Sequence, residues 1–186
     1  MDIRYHGKES ITIKNKGLEI LVGATFPLSK KTSQRLLIAN PSCGEIGFGS
    51  IDEDKVLVNG PGDYEIGGVD INGFVYGDKS IFYSVVVDGY RVGIVFEDGA
   101  IEKVSDKVDN LDVLIVLNPL VGVEKKLVSM AKKSGANFLI LVGDKGDYKE
   151  VLDAFDREDI EAIGKFSLKE GEELVEGMEV VLLSKI

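Results

Sequence analysis

VNGPGDYEIGGVDING, residues 58–73, is the stretch on which the reading of the whole chain turns. Asn59-Gly60-Pro61-Gly62 is a turn cluster: glycine reaches positive φ without steric cost, and proline fixes its own φ and restricts the residue before it. Short apolar runs at 64–66 and 69–71 flank Gly67-Gly68, and Asn72-Gly73 follows as a second turn signal. Upstream, 55–58 (KVLV) and 35–39 (RLLIA) read as strands, the latter ended by Asn40-Pro41. Further upstream, Ser10–Lys14 and 18–22 (LEILV) flank Asn15-Lys16-Gly17, a hairpin signal. Downstream, Ser80–Val87 and 90–96 (YRVGIVF) are joined by Asp88-Gly89, the strongest short hairpin signal there is. The first half of the chain is strand after strand.

The second half changes character. The runs at 112–117 (DVLIVL) and 137–142 (NFLILV) are continuously apolar, as expected of strands buried on both faces. Residues 123–133 place Val123, Leu127, Met130 and Ala131 at helical spacing and stop at Ser134-Gly135. Asp147 is expected to cap a second helix of about ten residues, with Val151, Leu152 and Phe155 on one face. Strands at 164–168 and Glu179–Leu183 finish the chain, with an acidic, turn-like stretch at 170–176 between them. Strands first, then alternating strand and helix, predict an α/β (α+β) domain over residues 1–186: two sheet layers with helices outside.

Composition bounds the function. A chain of 186 residues, 44% hydrophobic and 29% charged, has the balance of a globular domain with a real core. Lys plus Arg is 22 and Asp plus Glu is 32, for a net charge of −10. That balance argues against nucleic acid and against an anionic membrane surface as partners. No apolar run approaches the ~20 residues that span a bilayer. No charged-then-apolar leader is visible, and the lone Cys43 forms no internal disulfide, so a cytoplasmic location is expected. His6 is the only histidine.

The 58–73 segment resembles the Gly-Pro-Gly-Glu-Tyr-Glu-x-x-Gly-Val segment of the metallo-β-lactamase superfamily, in particular its sugar-lactonase-like and predicted Zn-dependent hydrolase branch. IRYHGKESITI at 3–13 is similar to the opening strand, Tyr-Gly-His-Ser-type turn and hairpin of that branch. Asp88-Gly89-Tyr90-Arg91-Val92 is similar to its Asp-Gly hairpin, and NLDVLIVLN at 110–118 to its Val-Asp-Ile-Leu-Phe-Ile-Pro strand. The resemblance runs in order along nearly the whole chain. It implies a four-layer αββα metallo-β-lactamase-like sandwich, here with fewer and shorter helices.

The departures fall where the family holds its metals. There a strand ends in His-x-His-x-Asp-His; here 36–39 is followed by Asn40-Pro41-Ser42-Cys43-Gly44-Glu45-Ile46. A later His-Leu-Gly-Asp corresponds to IVFE at 94–97, with Glu97 the nearest oxygen ligand. The family's Pro-Met-His corresponds to Leu141-Val142-Gly143. The chain looks like a member stripped of its metal site. The resemblance places the former active-site mouth at Asn40, Ser42, Cys43, Glu45, Glu97 and Gly143.

Zinc takes three or four ligands from imidazole, thiolate and carboxylate, which His6 and Cys43 cannot supply. Carboxylates alone favour hard cations. His6 reads as a turn or surface histidine. A nucleophilic Cys43 would want a neighbouring base, and nothing in the sequence brings His6 to it; an idle thiol is the simpler reading. Asp52-Glu53-Asp54 and Glu97-Asp98 are adjacent carboxylates, which on a strand point to opposite faces, so they read as solvated loops. Gly143-Asp144-Lys145-Gly146 has the strand-to-helix setting of a phosphate cradle but lacks the Gly-Lys-Ser/Thr ending, and reads as a plain turn. No catalytic residue, metal or cofactor is assigned. Two functions remain: a non-catalytic module that binds a protein partner or forms a homo-oligomer, or a metal-free or residual hydrolase or small-molecule binder with a rebuilt pocket at the former site. The first is favoured because no acid–base or nucleophilic set is recognisable. Ile46 and Phe48 then either plug a defunct cavity or form an apolar rim.

Overall fold

The computed structural model of the chain describes residues 1–7, 10–15, 18–23, 36–39, 55–76, 80–96, 109–117, 124–174 and 176–185. These residues form two facing mixed sheets. The first contains β1 (Asp2–Gly7), β2 (Ser10–Lys14), β3 (Glu19–Gly23), β4 (Leu36–Ile38), β5 (Val56–Val58) and β12 (Lys165–Ser167), in the order β12-β1-β2-β3-β4-β5. The second contains β6 (Gly62–Ile66), β7 (Val69–Tyr76), β8 (Ser80–Val87), β9 (Tyr90–Val95), β10 (Val113–Val116), β11 (Phe138–Val142) and β13 (Glu179–Leu183), in the order β13-β11-β10-β9-β8-β7-β6. Two helices, α1 (Glu124–Ser134) and α2 (Lys149–Ala154), complete the described elements, with a 3₁₀ turn at Lys145–Tyr148 leading into α2.

Strand alternation sets the layers, because successive side chains point to opposite faces. Ile3, Ile11, Ile13, Val22 and Ile38 of the first sheet bury against Ile71, Tyr83, Val85, Ile94, Ile115 and Ile140 of the second. The other face of the second sheet buries Leu114, Val116, Leu139, Leu141 and Leu182 under Leu127, Met130 and Ala131 of α1 and Val151 and Leu152 of α2. β9, β10, β11 and β13 are mutually parallel, and the continuous apolar runs of β10 and β11 follow from burial on both faces. On the outer face of the first sheet, Leu21, Leu37 and Ala39 are buried and cluster with Leu57, whereas Arg4 and His6 on β1 are exposed. This is the expected sandwich with few helices. No described helix is long and apolar enough to cross a membrane.

Two local expectations change. Asn72-Gly73 is not a turn; it lies inside β7, which pairs with β8 from Asp70 to Tyr76. Gly73 is needed there because a Cβ would sit 2.8 Å from the Gly60 carbonyl oxygen, so its glycine marks a close backbone approach. The second helix does not begin at Asp147. Asp147 belongs to the 3₁₀ turn, where its Oδ2 accepts the Asp144 N–H at 3.4 Å, and α2 then runs for only 6 residues.

Candidate functional site at the mouth of the sandwich

Parallel strands share an end, and in this chain backbone bonds knit those ends together. The Ala39 N–H donates to the Val58 carbonyl at 2.9 Å, joining the ends of β4 and β5. The Leu117 N–H donates to Val95 at 3.0 Å and the Gly143 N–H to Leu183 at 3.2 Å, joining β10 to β9 and β11 to β13. The two sheets meet at this end through Tyr83. Its hydroxyl donates to the Ala39 carbonyl at 3.1 Å and lies 3.5 Å from the Gly60 carbonyl. Tyr64 supports the same turn, with its hydroxyl 3.2 Å from the carbonyl oxygens of both Gly60 and Pro61. The ring of Phe96 packs edge-on against Tyr83 at 6.0 Å. Tyr83 has no solvent exposure, and this burial, with a smaller contribution from Tyr64, pushes its phenol well above the usual range. It keeps its proton and acts as a donor to backbone. On the helical side, buried Tyr148 donates to the Val142 carbonyl at 2.9 Å.

Of the six residues expected at the former mouth, Gly143 is described. It follows β11 with φ +141° and carries no side chain to contribute chemistry. Asn40, Ser42, Cys43, Glu45 and Glu97 lie outside the described residues, as do Ile46, Phe48, Asp98 and the Asp52-Glu53-Asp54 run. His6 is exposed on β1, with Nε2 2.9 Å from Thr12 Oγ1 on β2. Partial desolvation lowers its pKa, with Glu19 opposing and Arg4 adding to the shift. Ile3, one strand parity away, faces the inter-sheet core, so His6 stands on the other face of the first sheet. The turn after β11 already spends one N–H internally, on Asp147.

The strand ends described at the mouth are therefore Ala39, Phe96, Leu117 and Val142-Gly143, which offer neither imidazole nor thiolate. Among the described residues no three His, Cys, Asp or Glu side chains converge. The donor set at these positions does not fit zinc, whose borderline-soft chemistry favours nitrogen and sulfur ligands. The tyrosine ties escape a sequence reading that scans for ligands. The available signal is a tyrosine on the inward parity of an apolar strand, whose hydroxyl must find an acceptor when buried.

No protein-family model matches the chain, and no curated protein matches it. Solved structures do. A Thermotoga maritima protein described as a candidate Zn-dependent hydrolase of the metallo-β-lactamase superfamily superposes with a TM-score of 0.70 at 17% identity, over 99% of both chains. The metallo-β-lactamase fold protein YhfI from Bacillus subtilis gives 0.56 at 10% identity, covering 82% of this chain and 92% of that one. Igni18, a metallo hydrolase from the archaeon Ignicoccus hospitalis, gives 0.53 at 8% identity, covering 90% and 99%. With its two facing mixed sheets and its helices outside, the chain has the metallo-β-lactamase fold.

Proposed function

We propose that this chain is a pseudoenzyme: a non-catalytic binding or assembly module that keeps the metallo-β-lactamase fold and has given up its metal chemistry. One observation carries the reading. The chain holds a single histidine, and it stands on β1 beside Thr12, while the described strand ends at the mouth are apolar. A hydrolase that activates water on a metal needs several nitrogen, sulfur or oxygen ligands there and an open position. Support comes from Tyr83 and Tyr148, which spend their hydroxyls on backbone carbonyls of Ala39 and Val142. The partner is a protein or a second copy of the chain, in the cytoplasm; a charge of −10 disfavours nucleic acid and anionic membrane.

The test replaces Ile46 and Phe48 with Ser and measures unfolding temperature and mass in solution. Lost association at unchanged stability supports an interface at the old mouth. Lost stability at unchanged association makes these two side chains a plug and moves the interface elsewhere. Metal-free hydrolysis that depends on Cys43 or Glu97 would replace the module reading with an enzyme.

A further inference from the structure

Among the described residues, the two edges of the second sheet differ. Beyond β13, Ile163 bridges Leu183: its N–H donates to Leu182 at 2.9 Å, and its carbonyl accepts the Ser184 N–H at 3.0 Å. At the far end, β6 has a partner only in β7, and no strand lies on its outer side among the described residues.

The β6–β7 register fixes what that edge presents. Ile66 pairs with Val69 across Gly67-Gly68, whose φ values of +60° and +79° are those of a two-residue type I′ turn. The closing pair of such a hairpin exchanges both backbone hydrogen bonds, and the pattern then alternates. Ile66, Tyr64 and Gly62 thus bond to β7, while Asp63 and Glu65 turn their N–H and carbonyl groups to the open side. Tyr64 and Ile66 pack against the inter-sheet core, so the side chains of Asp63 and Glu65 stand on the outer face, and both residues are exposed. Asp63 accepts the Asn72 side-chain N–H at 2.8 Å. Glu65 faces Asp70 directly across the hairpin, an unfavourable like-charge pair, and neither has an ion-pair partner among the described residues.

We propose that the β6 edge docks a basic, extended segment of another protein, which adds as a further strand with Lys or Arg side chains opposite Asp63 and Glu65. The proposal rests on the module reading above and gives it a surface and a partner chemistry. The two carboxylates are two residues apart on one face, so the fitting segment carries its basic residues at alternate positions. A second copy of this chain is the wrong occupant. Edge-to-edge pairing of two β6 strands would set the Asp63 and Glu65 carboxylates of both copies along one face, in a molecule already at −10.

The test uses the intact protein and a labelled synthetic peptide, Lys-Val-Lys-Val-Lys-Thr, with fluorescence anisotropy for affinity and amide chemical shifts for location. Saturable binding is expected, with shifts concentrated in residues 62–76 and weakening as salt is raised. Two controls need no variant: a peptide with Glu in place of Lys, and a peptide N-methylated on the edge-facing amides; neither should bind. Neutralising both charges, Asp63→Asn with Glu65→Gln, should weaken binding about tenfold. Glu65→Pro, which removes an outward N–H that no ladder bond uses, should weaken it while leaving the melting temperature nearly unchanged. No binding, or binding indifferent to N-methylation and to these variants, overturns the proposal. If the peptide fails while Ile46→Ser with Phe48→Ser still abolishes association at unchanged stability, the edge assignment falls and the module reading stands. If Cys43- or Glu97-dependent turnover is found, the module reading itself falls.

Discussion

The two ends of the second sheet are built to opposite specifications. At the β10, β11 and β13 end the strands are parallel, apolar on both faces, roofed by α1 and α2, and bridged at one point of the edge by Ile163. At the β6–β7 end they are antiparallel, and beside the hairpin they carry exposed Asp63, Glu65 and Asp70 at an edge with no further strand among the described residues. One end is packed against helices on one face and against the first sheet on the other. The other contributes less to the core and exposes groups that another chain can read. On the binding-module reading proposed above, this division gives the scaffold one side that is packed and one that a partner would read.

Substitutions at the two ends sharpen the contrast. Leu139→Ala in β11 leaves a cavity between the inner strands and the helices, and should cost about 2–5 kcal/mol in denaturant unfolding. A loss of only a few tenths of a kcal/mol would mean that the roofed end is not where the stability lies.

Tyr83→Phe tests the tie between the sheets and should cost about 1 kcal/mol at neutral pH, with Tyr64 still serving the Gly60 carbonyl. The same variant carries a pH signature. Because the folded phenol titrates above its ordinary value of 10.0, the unfolded chain releases this proton first as pH rises. Stability from Tyr83 is therefore full below pH 10 and declines above it, and the Phe variant should show the shallower alkaline loss. Equal alkaline slopes would contradict the buried donor role.

The smallest effect belongs to the open end. Glu65→Lys exchanges a like-charge pair with Asp70 for an opposite pair and should stabilise the chain by up to about 1 kcal/mol, more at low salt. Destabilisation would show that Glu65 makes favourable contacts that outweigh its repulsion by Asp70.

Much of this frame is legible in the residues. Gly67-Gly68 and Asp88-Gly89 announce their hairpins because positive φ is a local demand; Asp88 and Gly89 adopt +53° and +84°. Ser10–Lys14, Ser80–Val87 and Glu179–Leu183 keep the boundaries their patterns give. The continuous apolar runs of β10 and β11 foretell burial on both faces. What fails is set by distant partners. Gly73 reads as a turn until the Gly60 carbonyl is brought against it, and the helical stretch starts ahead of Asp147, whose carboxylate accepts the Asp144 N–H in the 3₁₀ turn that leads into α2. Tyr83 finds its acceptor 44 residues away, at Ala39. The place of β6 at the sheet edge depends on strand order, which no local pattern encodes. The former mouth is legible through the family resemblance alone, and of its six residues the described structure reaches Gly143.

The chain has the metallo-β-lactamase fold, and the reading proposed for it is that no zinc is held there. The direct measurement is elemental analysis of the purified chain after incubation with excess zinc and extensive dialysis. The account predicts zinc well below one equivalent per chain, because one histidine and one cysteine do not make a closed set of ligands. About one or more tightly held zinc ions per chain would contradict it.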